Sequence, residues 1–249
     1  MHRTDVGKIP WPKNTTTGTK VFCRSLYNNL LVTPVPNTID HYPVIIACSG
    51  GLDSTVLAHA FAMKNIISPP DKPYKPTLVY INHQLRAPEE TSKDISHVLK
   101  LANQLGFDAK TYAVKVKAGN VQAMARDARY TAIMKAAVDI GSGCSVLLAH
   151  NANDVAETKL FQFLTGRVVN GIEPKIVRTY YSHTVNFWRP LLKYTRKDLE
   201  RYVGIWGLEW SEDATNGTGK YTRNRIRHEL IPWVEDNVNS SVVRVLAGL

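Results

Sequence analysis

The chain has few cysteines, no long apolar run and fewer acidic than basic residues. Its three cysteines, Cys23, Cys48 and Cys144, are isolated, so they form no CxxC pair, zinc spacing or disulfide framework, and they favour a reducing compartment. No apolar run approaches the roughly 20 residues of a membrane span. The 31 Lys and Arg against 21 Asp and Glu favour a polyanionic partner such as nucleic acid, with a solubilising surface charge as the alternative.

The sequence also lacks the phosphate-binding pattern GxxxxGK(S/T), but another loop has the features of a phosphate site. An apolar run from Val44 to Ala47 is followed by SGGLDST and then by an apolar-periodic segment from Val56, which predicts a strand, a tight turn and a helix start. Adjacent glycines, hydroxyl groups and the positive end of a helix dipole suit an anion. We therefore expect a phosphate cradle formed by Ser49, Gly50, Gly51, Leu52, Asp53 and Ser54.

Strand and helix patterns alternate along the chain. Further strands are predicted at 77–82, 112–116 and 145–149, and helices at 89–105, 121–141 and 152–164. A short β segment near 176–190 and helices near 196–206 and 222–238 follow. This order predicts an α/β fold with a doubly wound parallel sheet and a small, mainly helical C-terminal part.

Several polar side chains follow predicted strands. Asp53, His83, His150 and Asp154 do so, and ligands bind beyond the carboxyl ends of the strands in such sheets, so we expect one shared crevice. His150, Asp154 and Glu157 are spaced i, i+4 and i+7, which predicts one helix face. Carboxylates there could hold Mg²⁺, for which Asp53 and Asp154 are the candidate ligands, or position an amine. An acidic first turn favoured by the helix dipole is the alternative.

Basic residues form further clusters. His83 and Arg86 follow the second predicted strand and could contact ATP or substrate. Arg126 and Arg129 lie three residues apart on one helix face and are expected to clamp phosphate at the mouth of the crevice. Arg223, Arg225 and Arg227 place positive charge at a predicted helix start, where the helix dipole disfavours it. We expect RNA phosphate to compensate this charge. Solvated basic faces are the alternative in each case. The residues expected to line a path for RNA are Arg189, Arg223, Asn224, Arg225 and Arg227.

The chain carries, in order, SGGLDST, NHQLRA, ARDARY, AHNANDVAET, NGI, WRPLL, GLEWSEDATN and RNRIRHELIP. The first of these resembles the signature loop of the PP-loop ATP pyrophosphatases. The ordered set, above all the Arg-Asn-x-Ile-Arg-His segment, resembles the tRNA(Ile)-lysidine synthetase family. The resemblance extends from about Val44 to Pro232.

This resemblance implies a ligase that uses ATP and Mg²⁺. It would adenylate C2 of the wobble cytidine of an isoleucine tRNA with a CAU anticodon, after which the ε-amine of free lysine displaces AMP. Asp53, His150, Asp154 and Glu157 are then the expected catalytic residues. The chain departs from the family at Asn153, where adjacent acids are usual, and many members continue into further C-terminal domains.

Three other functions stay open. A PP-loop tRNA thiolase shares the loop, although many thiolases use paired cysteines. An amide synthetase of the NAD synthetase type also shares the loop but gives no reason for the basic C-terminal third. A degenerate PP-loop protein that binds RNA without catalysis would explain Asn153.

Shifts in composition, together with the resemblance, suggest a domain division. Residues 1–40 are expected to be an N-terminal extension, either a flexible segment or a weak organellar address; residues 41–170 an ATP-binding domain; and residues 171–249 a basic part that faces tRNA. The expected compartment is the cytoplasm, with mitochondrion or plastid as alternatives. No membrane partner is expected, and homodimer formation is left open.

Overall fold

A computed structural model describes residues 9–31, 43–67, 75–84, 87–114, 121–141, 143–211 and 222–249. The elements, in chain order, are α1 (Thr17–Leu31), β1 (Val44–Ala47), α2 (Leu52–Ile67), β2 (Thr77–Asn82), α3 (Pro88–Leu105), β3 (Asp108–Ala113), α4 (Val121–Ile140), β4 (Ser145–Leu147), α5 (Ala152–Leu164), β5 (Lys175–Tyr180), β6 (His183–Trp188), α6 (Arg196–Trp206), α7 (Thr222–Arg225), a π-helical turn (Ile226–Leu230), α8 (Ile231–Asn237) and α9 (Val242–Ala247).

The strands form a six-stranded sheet in the order β3-β2-β1-β4-β6-β5. The pairs β1–β2, β2–β3, β1–β4 and β4–β6 are parallel, which confirms the predicted α/β class. Only the edge pair β5–β6 is antiparallel among the described strands, because a two-residue connection at Tyr181 and Ser182 is too short for a crossover. Tyr181 takes a left-handed conformation there, with φ 51°.

Apolar residues on both faces of the sheet are covered. Along β1, Ile46 packs into the cluster shared with α1, α2, α3 and α6, whereas Ile45 packs into the cluster shared with α4. Leu78 and Val79 of β2 alternate in the same way. Burial on both faces explains why the central strands read as continuous apolar runs.

The third strand lies earlier than the sequence predicted. β3 covers Asp108–Ala113, not residues 112–116. The predicted stop at Gly106 is confirmed: it has φ 69°, and the Phe107 N–H bonds the Ala102 carbonyl, so the chain enters the strand at once. As an edge strand with mostly exposed side chains, β3 has a weak apolar pattern.

Helix α1 lies inside the region expected to be an extension. Cys23, Leu26, Tyr27 and Leu30 recur at i, i+3, i+4 and i+7 and are buried in the main core. The expectation that residues 1–40 form a flexible segment is therefore wrong for the residues of α1, because this apolar stripe packs against the core. The division at residues 40 and 170 stays a prediction.

The C-terminal helices pack against α5. Ala156 of α5 shares a small apolar cluster with Ile226, Ile231 and Val243. The π-helical turn precedes Pro232, which has no N–H to offer, and the Ile231 N–H instead bonds the Ile226 carbonyl. This packing sets the π-helical turn beside the carboxyl edge of the sheet. None of the helices in the described ranges is long and apolar enough to cross a membrane.

Candidate active site

The loop between β1 and α2 is held by its own backbone. The Gly51 carbonyl accepts bonds from the Thr55 N–H and the Ser54 hydroxyl, both at 3.0 Å, so α2 begins directly after the two glycines. Gly50 has φ 84°, a left-handed conformation in which a residue with a Cβ would be strained; a Cβ there would meet α3 atoms at 3.5 to 3.6 Å, which is ordinary contact. The first-turn N–H groups of α2 have no partner within the helix and can meet an anion.

The Ser49 hydroxyl of this loop is weakly engaged. Ser49 Oγ lies 3.4 Å from Ser54 Oγ and 3.4 Å from the Gly51 nitrogen, both at the long limit of a hydrogen bond. This hydroxyl can turn towards a phosphate oxygen at little cost, whereas the Ser54 hydroxyl already donates to the Gly51 carbonyl. The structure thus forms the expected cradle, and its phosphate ligand stays a prediction.

Asp53, in the first turn of α2, pairs with Arg196. The Arg196 Nη1 lies 3.0 Å from Asp53 Oδ1, and its Nε lies 3.1 Å from Glu200 Oε1. Burial raises the pKa of Asp53; Arg196 opposes the rise, and the nearby Asp154 carboxylate adds to it. The two candidate magnesium ligands, Asp53 and Asp154, are therefore close enough to repel each other.

The entry of α5 differs from the predicted single face. Asn151 caps the helix by accepting the Asn153 and Asp154 N–H groups, so His150 lies before the helix and not on it. The reason is that the Asn151 side chain caps the first turn and so fixes the start of α5 at the next residue. The Asn151 N–H in turn donates to Asp154 Oδ2 at 2.9 Å, and the other Asp154 oxygen accepts from Arg227 at 3.1 Å.

Glu157 lies one turn further along α5 and is held by the same arginine. Arg227 donates from Nε to Glu157 Oε1 at 2.5 Å and from Nη2 to Oε2 at 2.9 Å, a bidentate pair. The Glu157 side chain is 9% exposed and that of Arg227 43%. Burial raises the pKa of Glu157 against the opposing effect of Arg227, and the two carboxylates hold the pKa of Arg227 above its usual value.

His150 lies at the carboxyl end of β4. Burial lowers its pKa to about 4, and nearby Arg129, Arg189 and Arg126 lower it further against the opposing effect of Asp154. His150 is therefore neutral at pH 7. Its Nδ1 is buried and has no hydrogen-bond partner among the described residues.

The basic residues of α4 face the same crevice. Arg129 retains solvent exposure, yet the protein around its guanidinium lowers its pKa, as does the like charge of Arg126. Arg126 is exposed and lies 5.9 Å from the Tyr130 ring. Both positions fit the expected mouth of the crevice.

Arg189 is an exception to the expected surface path for RNA. It is 4% exposed, and it donates to the Tyr130 hydroxyl at 2.9 Å and to the Glu173 carbonyl at 2.5 Å. A charged guanidinium is stable inside the protein because these acceptors replace water. Arg189 therefore lies in the interior, behind Arg129 and His150.

The arginines near residue 225 are compensated mostly by protein. Arg225 pairs with Glu229 at 3.3 Å, and Arg227 pairs with Asp154 and Glu157. Protein carboxylates therefore compensate these two arginines, so the expected compensation by RNA phosphate is wrong for them, while a part in tRNA binding stays a prediction. Arg223 instead stacks over Phe161 at 5.1 Å, and partial burial and Arg126 lower its pKa. Asn224 lies beside it, half-buried, on α7.

His83 is half-buried at the carboxyl end of β2, as expected. Arg86 falls outside the described residues.

Three participating residues were not assigned from sequence. Arg196 pairs with Asp53, and the Asn153 Oδ1 accepts the Arg196 N–H at 2.8 Å, so the asparagine helps to start α6. The Ser211 N–H donates a hydrogen bond to the Gly50 carbonyl. These contacts join segments far apart in the chain, and a helix start at Thr195 with Asp198 three residues on was the one local signal near Arg196.

The acidic groups do not form a metal cage. Across the described ranges, no group of three or more His, Cys, Asp or Glu side chains could hold a metal ion. Mg²⁺, however, is usually bound by one or two carboxylates together with substrate phosphates. The pair Asp53 and Asp154, beside the phosphate cradle, fits that donor set.

Comparison with known proteins identifies the family. The model of the PP-loop domain, ATP_bind_3, matches residues 23–234. The chain belongs to the PP-loop family. Membership implies ATP binding, and it agrees with the glycine loop at the start of α2.

Curated relatives of this PP-loop protein carry one name. It is 34% identical over 190 residues to a tRNA(Ile)-lysidine synthase of Coxiella burnetii, covering 75% of this chain and 40% of the relative. It is 33% identical over 206 residues to that of Thermobifida fusca, covering 82% and 60%. With that of Burkholderia mallei the identity is 35% over 198 residues, covering 78% and 38%. The chain thus spans 38 to 60% of the length of these three relatives.

Solved structures share the PP-loop fold at low identity. A U34-tRNA thiolase from Methanococcus maripaludis, solved with its iron–sulfur cluster, has a TM-score of 0.68 at 14% identity, covering 91% of this chain and 78% of that one. An NAD+ synthetase from Burkholderia pseudomallei has a TM-score of 0.50 at 12% identity, covering 91% and 85%. At these identities the likeness concerns the fold alone.

Proposed function

We propose that this PP-loop protein is a tRNA(Ile)-lysidine synthetase: it adenylates the wobble cytidine of an isoleucine tRNA with ATP and then joins lysine to that base. The observation that carries the proposal is the pair of carboxylates on α5, Asp154 and Glu157, close to Asp53 of the PP-loop. The chain that holds them is similar over 75 to 82% of its length to proteins named tRNA(Ile)-lysidine synthase.

The pyrophosphate of ATP would lie on the loop from Ser49 to Ser54. The N–H groups of the first α2 turn and the weakly bonded Ser49 hydroxyl supply donors there. Asp53 and Asp154 would hold Mg²⁺, which offsets the phosphate charge when bound. Arg196, beside Asp53, adds a positive charge that can stabilise the negative charge of the leaving pyrophosphate.

The lysine amine would bind where the Arg227 guanidinium now lies. Asp154 and Glu157 already hold one cation there with three hydrogen bonds, so the site has the charge and geometry for an ammonium group. Binding lysine requires Arg227 to share or release Glu157. An arginine left beside the amine also favours its neutral form, since like charges lower the pKa of an ammonium.

Proton transfer limits the roles of the acidic groups. A lysine ammonium has a pKa of about 10.4, whereas the pKa of His150 is lowered to about 4. His150 is therefore a poor base for the free ammonium and is better suited to accept a hydrogen bond. Glu157, whose pKa burial raises, is the better acceptor for the proton lost when the amine attacks.

The tRNA would approach the crevice past Arg126, Arg129 and Arg223. Arg126 is exposed and influences the pKa of both others, so the three form one positive region beside Glu157. A base must leave its stack to reach ATP, and a single-stranded anticodon loop lowers that cost. Phosphate contacts from these arginines would hold the loop in place.

A tRNA thiolase is the second candidate, because the fold resembles that of one. The cysteines disfavour it: Cys23, Cys48 and Cys144 are all buried, and burial raises the pKa of each thiol, whereas sulfur chemistry and metal binding need accessible thiolates.

The proposal is tested by incubating the protein with ATP, radiolabelled lysine and an isoleucine tRNA transcript with a CAU anticodon. Label should enter the RNA only when ATP is present. A transcript with uridine at the wobble position is the matched control and should stay unlabelled. Absence of label from the CAU transcript, with ATP binding intact, would overturn the proposed activity.

A further inference from the structure

The segment that follows α6 reaches back to the PP-loop. The Ser211 N–H donates to the Gly50 carbonyl at 2.9 Å, and the Ser211 hydroxyl donates to Asp94 Oδ1 at 2.5 Å. Gly50 is on the loop, Asp94 on α3, and Ser211 lies 161 positions beyond Gly50 in the chain. One serine therefore joins the phosphate loop to a buried acid.

Asp94 is an unusual residue for its position. It is 6% exposed, and its other oxygen lies 3.4 Å from the hydroxyl of Tyr80, a residue of β2. A buried carboxylate is costly unless it is hydrogen-bonded, so the bond from the Ser211 hydroxyl helps to stabilise Asp94 in the interior. The Asp94 backbone carbonyl also lies 3.6 Å from the point where a Gly50 Cβ would be. Asp94 thus lies directly behind the loop.

Ser211 is itself held in place by the packing of the residues that precede it. Leu208 and Trp210 pack against the main core, and the Leu208 N–H bonds the Val203 carbonyl at 3.1 Å. The ion pair between Lys100 and Glu209 adds a tether at 2.6 Å, but both side chains are well exposed. Such surface pairs contribute little, so apolar packing and the Asp94 bond hold the segment.

The planarity of the peptide bond converts this contact into a constraint on ligand binding. The Gly50 carbonyl and the Gly51 N–H belong to one planar trans peptide and point in opposite directions. The carbonyl accepts from the Ser211 N–H at 2.9 Å and from the Thr55 hydroxyl at 3.4 Å. With the carbonyl held towards Ser211, the Gly51 N–H must face the other way, towards Ser49 and the cradle. Glycines alone would leave this peptide free to turn.

We propose that Asp94 and Ser211 are positioning residues for the pyrophosphate of ATP: Asp94 holds the Ser211 hydroxyl, Ser211 holds the Gly50 carbonyl, and the Gly51 N–H is thereby presented to the phosphates. The inference rests on the ATP-binding step of the proposed function and does not depend on the identity of the acceptor RNA. It extends the nucleotide site beyond the loop to α3 and to the segment after α6.

The test is equilibrium binding of three probes, namely ATP, inorganic pyrophosphate and AMP, to Ser211→Ala and Asp94→Ala, each of which removes one partner of the Ser211–Asp94 hydrogen bond. Either change should weaken ATP and pyrophosphate binding about tenfold, because the Gly50–Gly51 peptide is then no longer held in the orientation that presents the Gly51 N–H. AMP, which lacks the pyrophosphate, should bind within about twofold of wild type. The double variant should be no weaker than the weaker single variant, because both changes break one connection.

Matched variants separate positioning from folding. Ser211→Thr keeps the hydroxyl and should restore ATP affinity. Asp108→Asn, which removes an exposed acid paired with Lys75, should leave all three affinities unchanged. Should Asp94→Ala fail to fold, as judged by thermal melting, Ser211→Ala carries the same prediction.

Unchanged ATP affinity in a folded Ser211→Ala protein would overturn the inference, as would an equal loss for AMP. A protein that makes no lysidine but shows the expected loss of ATP and pyrophosphate affinity would refute the proposed function and leave this inference intact.

Discussion

Replacing Arg227 by Gln should destabilise the protein in a pH-dependent way. The change removes the bidentate partner of Glu157 and the contact to Asp154. Exposed ion pairs contribute about 0 to 1 kcal/mol, and breaking a buried pair costs about 3 to 5 kcal/mol. Glu157 is 9% exposed and Arg227 43%, so the pair lies between these limits. We expect the free energy of unfolding at pH 7 to fall by about 2 kcal/mol.

The sign of the pH dependence follows from Glu157. Burial raises its pKa above the ordinary 4.5, and loss of Arg227 raises it further. The folded variant then binds a proton more readily than the unfolded chain, so its stability falls as pH rises from 4.5 to the folded-state pKa and is constant above it. The loss relative to wild type should therefore be smaller at pH 4 than at pH 7.

Urea denaturation at both pH values measures this effect. Arg225→Gln is the matched control from the neighbouring turn, because it breaks an exposed i, i+4 pair with Glu229 and should cost about 0.3 to 0.5 kcal/mol. If Arg227→Gln costs no more than the control at pH 7, or costs the same at pH 4 as at pH 7, the described charge cluster does not govern the stability of the site.

Three further predictions concern ligands. Glu157→Gln should raise the KM for lysine at least tenfold while ATP affinity changes by less than about threefold, which steady-state lysine titrations and ATP binding would show; an unchanged lysine KM and turnover would remove Glu157 from the amine site. Gly50→Ala, at φ 84°, should cost about 1 to 2 kcal/mol of stability and weaken ATP binding, and full ATP affinity would mean that the loop tolerates another conformation. Arg223→Ala should lower the slope of log K against log salt for tRNA binding by about 0.7 to 0.9, whereas the same change at Arg225, which Glu229 already pairs, should leave the slope nearly unchanged.

Local patterns in the sequence predicted most of the fold. The glycine turn between β1 and α2 and the helix at 152–164 were correct because each is set by neighbouring residues: the apolar run, the turn and the cap. Helix α1 was missed although Cys23, Leu26 and Leu30 mark its buried face, because the surrounding Thr and Asn residues hid the stripe. β3 was displaced because an edge strand has little apolar signal.

The site could be predicted only in part, for a physical reason. Parallel strands bring their carboxyl ends to one edge, so the convergence of Asp53 and Asp154 followed from the fold class. The partners of these acids did not follow: Arg196 is 143 positions from Asp53, and Arg227 is 70 from Glu157. Which cation meets which carboxylate depends on how α6 and the π-helical turn pack, and no spacing along the chain records it.

The proposed reaction joins lysine to the wobble cytidine of an isoleucine tRNA. Mass spectrometry of the nucleosides from such a tRNA, after incubation with the protein, ATP and lysine, tests it most directly. We expect the wobble cytidine to be converted to a nucleoside heavier by one lysine less one water, and Asp53→Asn to abolish the product. A wobble cytidine of unchanged mass, or an increment of the size of sulfur elsewhere in the tRNA, would contradict it.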